Sequence, residues 1–149
     1  MSLTQRIDQD LKQAMTARDE NRVSTLRFLK SAVKYGAIEK KSEGLSDAEI
    51  LQVIQKQIKQ RRESIAQFTQ NARPELAEKE LAEVRVLEGY LPQQLSDAEL
   101  QSLVAREVQA QGASSKKDFG RMMKYLNEKL QGSADSKRVS EALTKALPA

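Results

Sequence analysis

Apolar residues recur every three or four positions along nearly the whole chain, the period of a helix packed on one side. Leu3, Ile7, Leu11 and Met15 step by four, predicting a first helix that runs to about Arg18 with Thr4 as candidate N-cap. A second stripe, Val23, Leu26, Leu29 and Val33, predicts a helix from about Asn21 to Glu39. The pattern breaks over 40–44, and Ser46-Asp47-Ala48-Glu49 then reads as a capping box. Behind it Ile50, Ile54, Ile58, Ile65 and Phe68 mark the longest helix, ending near Gln70. Pro74 suits the first turn of a fourth helix carrying Leu76, Leu81, Val84, Leu87 and Leu91.

Pro92 disfavours helical geometry at Leu91, so the boundary between two parts is placed over 91–95. Ser96-Asp97-Ala98-Glu99 repeats the capping-box pattern ahead of Leu100, Leu103, Val104 and Val108. Gly112 ends that helix. Ser114 or Ser115 is expected to start the next, with Phe119, Met122, Met123, Leu126 and Leu130 inward and Gly132 past its end. Asp135 is the expected cap of a last helix bearing Val139, Leu143 and Leu147. The fold expected is all-α: a four-helix hairpin assembly over 1–92, then a three-helix module over 93–149.

Composition narrows the chemistry. The 149 residues include no Cys and no His. Disulfides, thiolate nucleophiles, Ser-His-Asp triads and the usual zinc sites are thereby excluded. Adjacent carboxylates such as Asp8/Asp10 and Asp19/Glu20 diverge on a helix and make no metal site. There is no Gly-rich nucleotide loop after a strand. The six aromatic residues show no interleaved set for base stacking. No catalytic residue, metal or cofactor is expected. The N-terminus has no apolar core of a signal peptide, and no stretch approaches the length of a membrane span, so a cytoplasmic location and no membrane partner are expected.

The net charge of +4 conceals blocks. Residues 21–73 carry 11 Lys and Arg against five acids, residues 74–111 three against eight, and residues 112–138 seven against three. Such blocks suit either solvated faces attracted to the acidic fourth helix, or a phosphate-tracking surface. Continuing the register of Ile54 and Ile58 puts Arg61 on or beside the buried face, where it needs an internal ion pair; Glu80 and Glu83 are the candidates. Lys56, Lys59 and Arg62 point away and are left for a partner. The segment from Ser114 to Arg121 puts Lys116 and Lys117 in a first helical turn, against the helix dipole. An external phosphate held there by unpaired N–H groups would account for them; solvated lysines are the alternative. Gly120 would allow a close approach of another backbone.

Several stretches resemble the YqeY-like family. They are Asp10-Leu11-Lys12-Gln13-Ala14-Met15, Arg22-Val23-Ser24-Thr25-Leu26-Arg27, Lys59-Gln60-Arg61-Arg62-Glu63-Ser64-Ile65 and Leu87-Glu88-Gly89-Tyr90-Leu91-Pro92. In the tail, Gly120-Arg121-Met122-Met123-Lys124 with Gly132-Ser133-Ala134 and Val139 is similar to the C-terminal domain of the aspartyl/glutamyl-tRNA amidotransferase B subunit. The spacing between its two halves is about a turn longer here. The resemblance implies a two-part helical protein whose tail is similar to a tRNA-contacting appendage, and it brings an association with glutamine-dependent carbon–nitrogen ligase activity. No catalytic residue of that enzyme maps onto this chain.

The leading expectation is a tRNA- or structured-RNA-binding module without its own catalytic centre, working beside an amidotransferase or an aminoacyl-tRNA synthetase. Lys116, Lys117, Arg121 and Lys124 would contact phosphates, with Lys59 and Arg62 as a second patch. The alternatives are a component of an amidotransferase reaction and a protein-interaction adaptor.

Overall fold

In the computed structural model, which describes residues 1–148, the chain is helical, with no strand among the described residues. Helices α1 (Leu3–Thr16), α2 (Glu20–Lys40), α3 (Asp47–Gln70) and α4 (Pro74–Glu88) form one compact unit, Met1–Leu91. Helices α5 (Asp97–Ala110), α6 (Phe119–Leu130) and α7 (Ser136–Ala146) form a second, from Pro92 onward, with a 3-10 turn over Lys116–Asp118 ahead of α6. No helix among the described residues is long and apolar enough to cross a membrane.

Local chemistry accounts for the helix starts. Ser2, not Thr4, caps α1: its hydroxyl accepts from the Gln5 N–H, and the Gln5 side chain accepts from the Ser2 N–H. The reciprocal box also forms at Ser46 and Glu49. Ser96 caps α5 with its hydroxyl alone, so the second expected box is only half made. Pro74 occupies the first turn of α4, and Asp135 caps α7.

The ends of α1, α2 and α3 take a left-handed residue that is not glycine, whereas α4 ends on Gly89 in right-handed geometry. Arg18, Lys41 and Ala72 all take positive φ (56°, 59° and 57°) and reverse the chain. After each, a backbone N–H closes onto a carbonyl five residues back, as from Asp19 to Ala14 and from Ser42 to Ala37. This is why α1 stops at Thr16 and not at Arg18. In the second unit Gly112 and Gly132 do occupy the left-handed region.

Each unit has its own core. Ile7, Leu26, Leu29, Ile50, Ile54, Ile58, Val84, Leu87 and Tyr90 fill the first, where α3 packs along α4 and α1 against α2. Leu100, Val104, Val108, Met122, Leu126, Leu130, Val139 and Leu143 fill the second, where α7 packs on both α5 and α6. Burying such side chains stabilises by about 1.5–3 kcal/mol each. The segment before α5 is tied to the α6–α7 turn: Leu95 donates to the Ser133 carbonyl, Gln94 to that of Gly132, and Arg138 reaches the Leu95 carbonyl. Gly120 is not a contact point. A Cβ there would meet nothing within 4 Å, so the expected close approach of backbones is absent.

Candidate nucleic-acid interface

The tail cations sit around a carboxylate. Because α6 begins at Phe119, Lys116 and Lys117 lie in the 3-10 turn before it and not in its first α-helical turn. The Ser115 hydroxyl accepts from the Lys117 N–H. Asp118 accepts from the Ser114 N–H at 2.9 Å and pairs with Arg121 at 3.3 Å. The Ser114 N–H, and then the Arg121 guanidinium, hold the Asp118 carboxyl below its usual range. The anion at this end is therefore the protein's own. Two expectations change: no row of free N–H groups awaits a phosphate, and Arg121 is engaged by Asp118 and the Gln111 carbonyl. The side chains of Lys116, Lys117 and Lys124 are exposed, with no hydrogen bond or ion pair to a described residue. Lys129, further along α6, is taken by Glu107 at 2.8 Å, which also accepts from the Tyr125 hydroxyl.

On α3 the register decides which cations are free. Arg61, with a side chain 13% exposed, pairs with Glu80 at 3.1 Å and with the buried Glu83. Its guanidinium also lies 5.5 Å from the centre of the Phe28 ring. Arg62 has an internal partner that the sequence reading did not expect. It lies one residue past Arg61, close enough to α4 to pair with Glu88 at 2.5 Å. Lys56 and Lys59 remain exposed and without an acidic partner among the described residues. On α2, Lys30 is held by Asp8 at 2.7 Å, while Arg27 and Lys34 are exposed and have no ion pair among the described residues.

The sequence reading missed the exposed apolar side chains of α2. Phe28, Tyr35 and Ile38 are 59%, 64% and 63% exposed. Beside Phe28 an open hollow of about 590 Å³ is lined by Arg18, Glu20, Val23, Ser24, Arg27 and Ser31. The signal was present. Phe28 and Tyr35 are seven residues apart, two turns on one face, and that face is rotated away from the Leu26, Leu29 and Val33 stripe. Among the described residues no group of three or more acidic side chains is gathered to hold a metal ion.

These features define an all-helical protein in two units, with free cations on its exposed helical faces and beside the turn before α6. Residues 4–147 match the family model described as Yqey-like protein, and the chain belongs to that family. Among curated relatives it is similar to proteins named altered inheritance of mitochondria protein 41, mitochondrial. The one from Kluyveromyces lactis is 42% identical over 84 residues, 56% of this chain and 45% of that protein. The one from Lachancea thermotolerans is 35% identical over 101 residues, 66% of this chain and 54% of the relative. That from Saccharomyces cerevisiae (strain YJM789) is 34% identical over 91 residues, 61% and 49% respectively. The chain spans about half the length of these relatives. Their names correct the cytoplasmic expectation: it rested on the lack of a secretory leader, and proteins this similar are named as mitochondrial.

Proposed function

We propose that this protein is an RNA-binding helical module, with tRNA or another structured RNA as its partner and no catalytic centre of its own. A relation to the amidotransferase B-subunit tail, and an amidotransferase or synthetase beside it, belong to the same proposal. One observation carries the reading. Internal acids take Arg61, Arg62, Arg121 and Lys129, while Lys59, Lys116, Lys117 and Lys124 stay exposed without a described partner. Cations left over after internal pairing are those able to displace counterions from a phosphate backbone.

Mobility shift against tRNA at several salt concentrations tests it. Four phosphate contacts give a log–log slope of about −3. The K116E/K117E variant is expected to bind at least tenfold more weakly, with a shallower slope. Folding should survive, since both side chains are exposed. Unchanged tRNA affinity and slope in that variant would remove the tail lysines from the interface, and no binding by the native chain at low salt would end the proposal.

A further inference from the structure

The outer face of α2 combines features that a solvated helix does not need. Between residues 24 and 38 it carries Arg27 and Lys34 and no acidic residue, Lys30 being turned to Asp8 of α1. Two aromatic rings stand out on it, about 10 Å apart along the axis for a seven-residue separation. Ser31 lies between them in sequence, so a polar residue separates the two rings.

Phe28 is also held in place. Arg61 lies over the ring and is itself fixed by Glu80 and Glu83, yet the side chain remains 59% exposed. The result is an aromatic plate braced from inside and open outside. A ring fixed before its ligand arrives loses little freedom on stacking. Arg18, Arg27 and the single acid Glu20 line the adjoining hollow, whose two cations would meet a phosphate attached to a stacked base. Glu20 and Glu39 mark the two ends of the face.

We propose that this face of α2 takes unpaired bases of a single-stranded RNA segment, by stacking on Phe28 and Tyr35, while Arg18, Arg27 and Lys34 meet the backbone. The inference rests on the RNA-binding reading and adds to it a site in the first unit with a distinct chemistry. Bases stack on aromatic side chains with little regard to sequence, and the cations follow the phosphates. An apolar helix of another protein fits less well, because it would bury Arg27 and Lys34 without partners. A second copy of this face would bring the same cations to the seam.

The test uses the full chain with a 12-residue oligouridylate and with tRNA. Phe28→Leu keeps an apolar side chain under Arg61 while removing the ring, and Tyr35→Ser changes an exposed position. The F28L/Y35S double variant is expected to keep its melting temperature within a few degrees. It should bind the oligouridylate at least tenfold more weakly, with the salt slope unchanged. The R27Q/K34Q variant should instead make the slope shallower by one to two. The chain has no Trp, so Y35W installs a single reporter whose emission should be quenched by the oligouridylate. Oligouridylate binding unchanged in F28L/Y35S, with no quenching of Y35W, overturns the site. The tail-lysine reading survives that result if K116E/K117E still loses tRNA. A native dimer that F28L/Y35S splits would make the face a contact between copies and overturn the proposal equally. Failure of the native chain to bind either RNA removes both readings together.

Discussion

Replacing Arg61 tests the physics of the first unit most directly. Its guanidinium is the described partner of Glu83, which is 6% exposed, and it also serves Glu80, whose side chain is 26% exposed. In Arg61→Met the side-chain volume is nearly kept and Phe28 retains an apolar neighbour, so the main loss is charge compensation. Glu80 can turn towards water. Glu83 cannot, and must stay ionised without its partner or take up a proton. Breaking a buried pair from one side costs about 3–5 kcal/mol. Domains of this size have about 5–15 kcal/mol in total. With a urea slope of about 2 kcal/mol/M, the first unit's midpoint should fall by about 1.5–2.5 M. The double variant R61M/E83L removes both charges and should recover most of the loss, since an apolar pair of similar volume is often neutral or better. Urea titrations followed by circular dichroism on the native, single and double variants give the coupling directly. A single-variant loss under about 1 kcal/mol would refute the argument. So would a double variant destabilised by the sum of its singles, since Arg61 would then act through packing and not by compensating Glu83.

Gly120→Ala should stabilise the second unit by up to about 1 kcal/mol, because Gly120 is in α6 and a Cβ there meets nothing. Ala72→Gly should stabilise the first unit by a similar amount, because Ala72 is held at φ 57°; melts of each variant check the pair. Burial, and then the Asp10 carboxylate 2.5 Å away, push the Tyr90 phenol well above its usual range. Its proton is bound more tightly folded than unfolded, so stability falls as pH rises past about 10. Alkaline absorbance titration should show the Tyr90 step only on unfolding, and Y90F should remove that step. Lys40, with the Ser46 cap, lowers the Glu49 carboxyl from 4.5 to about 2. The stabilisation it gives the α3 start is whole above about pH 4.5 and lost as pH falls through about 2. An NMR titration of Glu49 should show that depression shrinking in K40M.

The helices were legible because their determinants are local. A capping box such as Ser46 with Glu49 lies within four residues, and the inward stripe from Ile50 to Ile58 needs only the helical period. Where two local solutions compete, the sequence is ambiguous. Ser2 and Thr4 can each open α1, and only the Gln5 side chain, reaching back to Ser2, separates them. Helix ends were harder to read in the first unit, since Arg18, Lys41 and Ala72 do without the glycine that usually marks a left-handed residue. The register of Arg61 could be read because one helix sets it. The pairing of Arg62 with Glu88 could not, because it depends on how close α4 lies to α3.

The same distinction governs the surface. A charge count along the chain treats every Lys and Arg as available, whereas the fold allocates them first to its own acids. After allocation, the tail retains Lys116, Lys117 and Lys124 among its exposed cations, and the first unit retains Lys56, Lys59, Arg18, Arg27 and Lys34 among its own. The basic blocks thus overstate the field while hiding its placement. Aromatic residues show the converse. Phe28 stands off the apolar stripe of α2 with most of its surface in water, yet an internal guanidinium from α3 lies over its ring. The ion pair that the first unit needs in order to bury Glu83 is also what braces the ring. Stability and the proposed recognition therefore meet in one residue. A variant at Arg61 that keeps the fold through a second change, as R61M/E83L should, separates them: it should melt like the native chain, while the Phe28 ring, no longer braced, binds oligouridylate several-fold more weakly. Native affinity in that variant would show that the ring works unaided.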